Sequence, residues 1–208
     1  MSCPSEEDAL PHFVTEGLLS GTCLVTARGI REVTALRPGD LLLTGEAGFT
    51  EIRAVQRAFC DAGPAGWPGM HWPLEIPAGA LGNPSVLRLL PEQPVLVLAG
   101  AEAVAVPAAA LEGRGGICRT RPQAMEEVVI LQLSEGALVC AEGDLQLYCP
   151  PDTLGLPPGF LPYDLPDVPL ADLAGARALI GALDAAEEAP PEGDALMFTQ
   201  AALRALSP

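Results

Sequence analysis

The chain contains no lysine: all 11 basic residues are arginine, set against 27 acidic ones for a formal net charge of −16. A surface this negative repels nucleic-acid phosphates and anionic lipid, which argues against both as partners. The Ala/Gly/Pro/Leu-rich usage reads as the mark of a GC-rich genome rather than of a binding function. Long apolar runs are missing too. None approaches membrane-spanning length, and the first 16 residues, MSCPSEEDALPHFVTE, are acidic where an export signal would be basic and then apolar. The expectation is a cytoplasmic protein. The six cysteines (Cys3, Cys23, Cys60, Cys118, Cys140, Cys149) form no CxxC pair, and only His12 and His71 could join them. That spacing predicts reduced thiols, no metal and no cofactor. Aromatics are only 4% of the chain, so Trp67 and Trp72 are expected to cap the edge of an aliphatic core.

What is present is the punctuation of short strands. Residues 22–26 and 31–36 are rich in β-branched and aliphatic side chains, with Ala27-Arg28-Gly29 as a hairpin connection. Arg37-Pro38-Gly39-Asp40 fits a type II turn: proline presets φ at the second position and glycine takes a positive φ at the third. Leu41-Leu42-Leu43 has little polar relief, which predicts a strand covered on both faces. Residues 49–59 alternate like a half-exposed strand, and 60–73 form a loop. Residues 74–98 carry two strands about a Gly82-Asn83-Pro84 turn. Residues 101–111 read as a strand running into a helical turn, and 112–125 as a solvated loop carrying Arg114, Arg119 and Arg121. A last hairpin is expected between 128–133 and 137–140. Beyond Cys149 a proline-rich stretch precedes two helical patterns, 170–186 and 194–206.

A chain of 208 residues is one domain, or one domain with an appendage. The fold class is mainly β: a compact all-β domain with a short C-terminal helical appendage. Its parts are an N-terminal arm (1–16), the β domain (17–150), and a Pro-rich wrap with a two-helix tail (151–208).

Three stretches carry a family resemblance. The Gly21-Thr22 pair with its hairpin and ALRPGDLLLTG (35–45), then IPAGALGNPSVLRLLPEQPVLVLAG (76–100), then VVILQLSEGALVCAEG (128–143) occur in order and at the right spacing. Together they resemble a Hint domain, the module shared by Hedgehog autoprocessing regions and inteins, and most of all its bacterial branch. The resemblance implies a definite chemistry. A cysteine or serine at the first residue attacks the preceding carbonyl. A histidine on a second strand, with Ser or Thr three residues earlier, donates toward the departing amide nitrogen.

On this chain the resemblance puts Gly17 at the nucleophile position, Leu90 at the Ser/Thr position and Gln93 at the histidine position. Glycine has nothing to attack with, and glutamine hydrogen-bonds but cannot shuttle a proton near neutral pH. A further histidine before the AEG segment is replaced at Gly136 or its neighbours. Ser20 and Cys23 are fallback nucleophiles, with no histidine in a segment that could serve them.

The function expected is therefore a catalytically silent Hint-like domain, not an enzyme, used as a scaffold or protein-interaction module. It would meet a protein partner or another copy through its acidic surface or C-terminal helices. The opposing readings are residual autoproteolytic or peptide-transfer activity through Cys23 or Ser20, and a small-molecule module built on the Trp67/Trp72 and arginine loops. The resemblance also implies that Gly17 and Gln93 lie side by side, with only side chains, not backbone, altered at the site.

Overall fold

The computed structural model describes residues 14–45, 48–60, 69–100, 102–122, 125–152 and 168–188. Among these, thirteen strands form one bent antiparallel sheet, followed by one α-helix. The opening is set by local turns. After β1 (Leu18–Leu19), β2 (Cys23–Thr26) pairs with β3 (Gly29–Glu32) across Ala27-Arg28. The Thr26 hydroxyl accepts from the Arg28 N–H at 3.0 Å and donates to the Gly29 carbonyl at 2.7 Å, closing the turn. The second strand does not run on to Leu36. It stops at Glu32, and Val33–Ala35 make a 3-10 turn. Three residues per turn bring Val33 and Leu36 onto one side, and both are fully buried. The type II turn forms as expected: Asp40 N–H reaches Arg37 O at 3.1 Å and Gly39 has φ +90°.

The strand β4 (Leu41–Thr44) is covered on one face only: Leu42 is buried while Leu41 stays 41% exposed. The pleat sends neighbouring side chains to opposite faces, and here one face meets water. The long strand β5 (Gly48–Cys60) pairs with β4 at its start and with β11 (Glu126–Leu133) beyond Ile52. The register shifts where Gln132 and Leu133 oppose Ala54 and Ile52. An extra residue of this kind bends a strand, so β5 serves both halves of the sheet.

Residues 74–98 hold three strands rather than two: β6 (Leu74–Ile76), β7 (Leu87–Leu89) and β8 (Pro94–Ala99). The side chain of buried Asn83 organises the β6–β7 turn, donating to Pro77 O and Ser85 O and accepting from Leu81 N–H. The strand β9 (Glu102–Pro107) pairs with β8 throughout, and a fully buried 3-10 turn, Ala108–Leu111, follows it as expected. A short β10 (Cys118–Arg119) inside the arginine loop pairs with β6.

The expected last hairpin is not formed. β12 (Ala137–Cys140) pairs with β13 (Gln146–Cys149) and β4, while β11 pairs with β5 along one edge and, along the other, with β1 at Val128 and Val129 and with residues 150–152 at Leu133. The helix α1 (Leu173–Glu188) buries Ala176 and Ile180 in the main core and packs against β9 and the turn after it. That core is aliphatic, including Leu24, Leu42, Ile52, Val106 and Leu111. The second helical pattern (194–206), Trp67 and His12 lie outside the described residues, as does 153–167 of the proline-rich stretch.

Candidate functional site

The site forms where the first strand, the corner before β8 and the last strand meet. That corner is a tight turn: Gln93 N–H donates to Leu90 O at 3.1 Å, and Gln93 O accepts from Ala108 N–H at 2.9 Å. The backbone of Gln93 is thus pinned from both sides, and its side chain is 2% exposed. Its Oε1 accepts the Gly17 N–H at 3.1 Å, while its Nε2 donates to Tyr148 O at 2.9 Å and Pro94 O at 3.2 Å. One buried amide therefore bonds three main-chain groups, from the first strand, the corner and the last strand.

The recess bounded by Glu16, Gly17, Gln93, Tyr148 and Cys149 holds about 10 Å³, roughly the room one water needs. Gly17 has φ +120°, and a Cβ built on it would lie 2.8 Å from Val128 Cγ1 and 3.1 Å from Ile130 Cγ1. A side chain at residue 17 would therefore collide with β11. The backbone here, and not side chains alone, thus limits what residue 17 can carry.

A model of the Hint domain family matches residues 17–146, more than half of the chain and beginning at Gly17. The chain belongs to the Hint domain family. Solved structures similar to it include a bacterial intein-like domain from Clostridium thermocellum, at 12% identity and TM-score 0.48, covering 65% of this chain and 99% of that one. Another is a splice-inactive AceL NrdHF class 3 split intein, at 15% identity and TM-score 0.44, covering 64% and 96%. No match is found among curated proteins.

Within this Hint domain the structure brings Gly17 and Gln93 into contact, with Leu90 touching Gln93 through its carbonyl alone. Leu90 is fully buried, but in a small apolar cluster with Leu19 and Val128 rather than on the recess. Ser20 is exposed, its N–H bonded to Glu127 O at 3.0 Å. Cys23 lines a different recess with Asn83, Ser85 and Glu142. Burial raises its thiol pKa, and the Glu142 and Glu32 carboxylates raise it further, which disfavours the thiolate that attacks carbonyls.

Sequence reasoning missed Tyr148 and Cys149. Cys149 is fully buried and its thiol is pushed up to about 12. The short apolar and aromatic run Leu147-Tyr148-Cys149 after the Gly143-Asp144 turn was the signal for this strand, masked by the prolines that follow it. Among the described residues, no three His, Cys, Asp or Glu side chains are placed to hold a metal, and no helix is long and apolar enough to cross a membrane.

A second, larger groove lies beside the recess. It holds about 530 Å³ between Pro91, Pro94, Pro107, Ala109 and the first turn of α1 at Leu173. His71, Glu92, Arg119 and Arg177 supply its polar rim. Part of the tryptophan loop and part of the arginine loop thus meet here, although Trp72 itself is not in the lining. The arginine loop is not simply solvated: Arg114 pairs with Asp184 of α1 at 3.1 Å, and Arg119 with Glu112 at 2.9 Å.

Proposed function

We propose that this Hint domain is catalytically silent and serves as a scaffold that keeps the arm before Gly17 covalently attached. The observation that carries the reading is the Gly17–Gln93 contact. At the junction where the family's chemistry would occur, the N–H is held by a carboxamide oxygen. A carboxamide neither donates a proton from that atom nor titrates near neutral pH. No nucleophile stands at residue 17, and the space a side chain would occupy is filled by Val128.

The fallback nucleophiles do not rescue the reaction. Ser20 is exposed without a described histidine beside it, and Cys23 sits in an acidic recess that holds its thiol protonated. With attack suppressed, what the domain offers is a rigid body with an acidic surface, suited to a basic protein partner.

The test is the intact mass of freshly purified protein, before and after incubation with excess thiol or hydroxylamine. The expected spectrum shows the full chain alone. A new N-terminus at residue 17, 20 or 23 would refute the reading and revive the autoproteolytic one.

A further inference from the structure

We infer that the open edge of β3 pairs with the same edge of a second copy of this chain, antiparallel and centred on Ile30. The inference goes beyond the proposed function and does not rest on catalytic silence, since a cleaving domain would carry the same edge. Three observations lead to it.

The first is a row of unused main-chain groups. Among the described residues β3 pairs with β2 alone. The Val33 N–H donates to Thr22 O at 2.8 Å. By the alternation of an antiparallel ladder, Arg31 and Gly29 then also face β2, and Ile30 and Glu32 turn their N–H and C=O outward. No described main-chain group meets them there. The edge stands clear of the domain: Gly29 and Glu32 are exposed, and Ile30 is 54% exposed.

The second is a sequence that complements itself. Arg28-Gly29-Ile30-Arg31-Glu32, laid antiparallel on a second copy about Ile30, sets Ile30 against Ile30 and each Arg28 against a Glu32. Aliphatic and opposite-charge pairs directly across strands are the favourable ones. The Arg28 side chain has no partner among the described residues. The Glu32 carboxylate accepts the Gly21 N–H at 3.0 Å and has acceptor capacity left for a guanidinium. Neighbouring registers fail on charge: centring on Arg31 opposes two arginines, and centring on Glu32 opposes two carboxylates. A two-fold contact of this kind closes on itself and stops at two copies.

The third is room on both faces. Arg31 turns to the inner side, 3.4 Å from Asp40 and 2.9 Å from Ala35 O, and the residue it would meet on the second copy is Gly29, which has no side chain. On the outer side Ile30 begins an apolar row that continues through Val25, Leu43 and Phe49, strand by strand. Pairing at β3 joins two such rows end to end. The edge is only four residues long and each chain carries −16, so the contact belongs to the weak class that buries less than about 1,200 Å².

Sedimentation of the full chain from about 10 µM to about 1 mM, where a contact of that class becomes populated, tests this. The mass should rise from that of one chain toward that of two. Amide exchange at Ile30 and Glu32 should slow as concentration rises, while at Arg31, already bonded within the hairpin, it should not. Ile30→Lys sets two cations face to face and should leave single chains throughout. Arg28→Glu and Glu32→Arg should each weaken pairing about tenfold or more, because each puts two like-charge pairs into the contact. Combined, they should restore it to within about threefold of the parent. Thermal melting shows that each variant is folded, and an intact mass on the same sample keeps this outcome separate from that of the proposed function. A chain that stays single across the whole range would overturn the proposal. So would pairing that ignores Ile30→Lys, or a double variant no better than its parts. Slow exchange at Ile30 and Glu32 that does not depend on concentration would assign the edge to a segment of the same chain and would equally overturn it.

Discussion

Replacing Gly17 by alanine isolates what the backbone contributes to the site. The methyl group would sit 2.8 Å from Val128 Cγ1 and 3.1 Å from Ile130 Cγ1, on a residue whose φ is +120°. Holding an L residue at a sparsely populated φ costs about 1–3 kcal/mol. Forcing an extra carbon into packed surroundings costs about 1–3 kcal/mol more. The two act on the same residue and are relieved by the same backbone shift, so the expected loss is roughly 2–5 kcal/mol rather than the arithmetic maximum. Urea unfolding reads this as a lower midpoint at unchanged slope. Val128→Ala removes the nearest methyl and should recover about 1–2 kcal/mol of the loss in a double-mutant cycle. A Gly17→Ala protein within about 0.5 kcal/mol of the parent, the range of ordinary surface changes, would show that the steric argument is wrong. If the argument holds, Gly17→Cys with Leu90→Ser and Gln93→His will not cleave after Glu16, because the thiol cannot be placed without displacing β11.

Gln93→Leu removes the acceptor of the buried Gly17 N–H; at about 1–3 kcal/mol for an unsatisfied group, a chemical-denaturation loss of that size is expected. Cys149 carries a pH signature. Its folded pKa is raised by burial to about 12 from an ordinary 9.0, so its stabilising effect is complete below about pH 9 and is lost as pH rises toward 12. Each pH unit in that window costs about 1.4 kcal/mol for this group, and Cys149→Ala should flatten the stability profile between pH 9 and 11 by up to that slope. Ile180→Ala, at a position 5% exposed, should cost about 2–5 kcal/mol by thermal or urea melting; no change would mean that α1 is not an integral part of the core.

What the sequence made legible was local. The Ala27-Arg28 hairpin and the Pro38-Gly39 turn depend on the φ preferences of a few consecutive residues, and both appear where those residues stand. Pairing between distant strands was not legible. Residues 128–133 and 137–140 look like a hairpin when only the linker is considered, but β5 claims one edge of β11, and β1 together with residues 150–152 bonds the other. Likewise, nothing in a triple leucine says which face will meet water, and Leu41 falls on the outward side of the pleat while Leu42 falls on the inward one. At the site, the proximity of Gly17 to Gln93 came with the family resemblance. The glycine's positive φ and the Val128 methyl behind it did not, because an absent side chain leaves no mark of what has filled its place. The groove was equally hidden, since His71, Pro91, Arg119 and Leu173 come from four separate parts of the chain.

The Gln93 amide also has a mechanical meaning. Its oxygen holds the strand through which the domain begins, and its nitrogen holds the last strand of the sheet. Tension between residues 14 and 152 therefore meets this side chain and the short β1 pairings before it reaches the long β5–β11 ladder. Under load, β1 should peel away first while the rest of the sheet stays whole, so a pull on the arm is absorbed at a small, renewable latch.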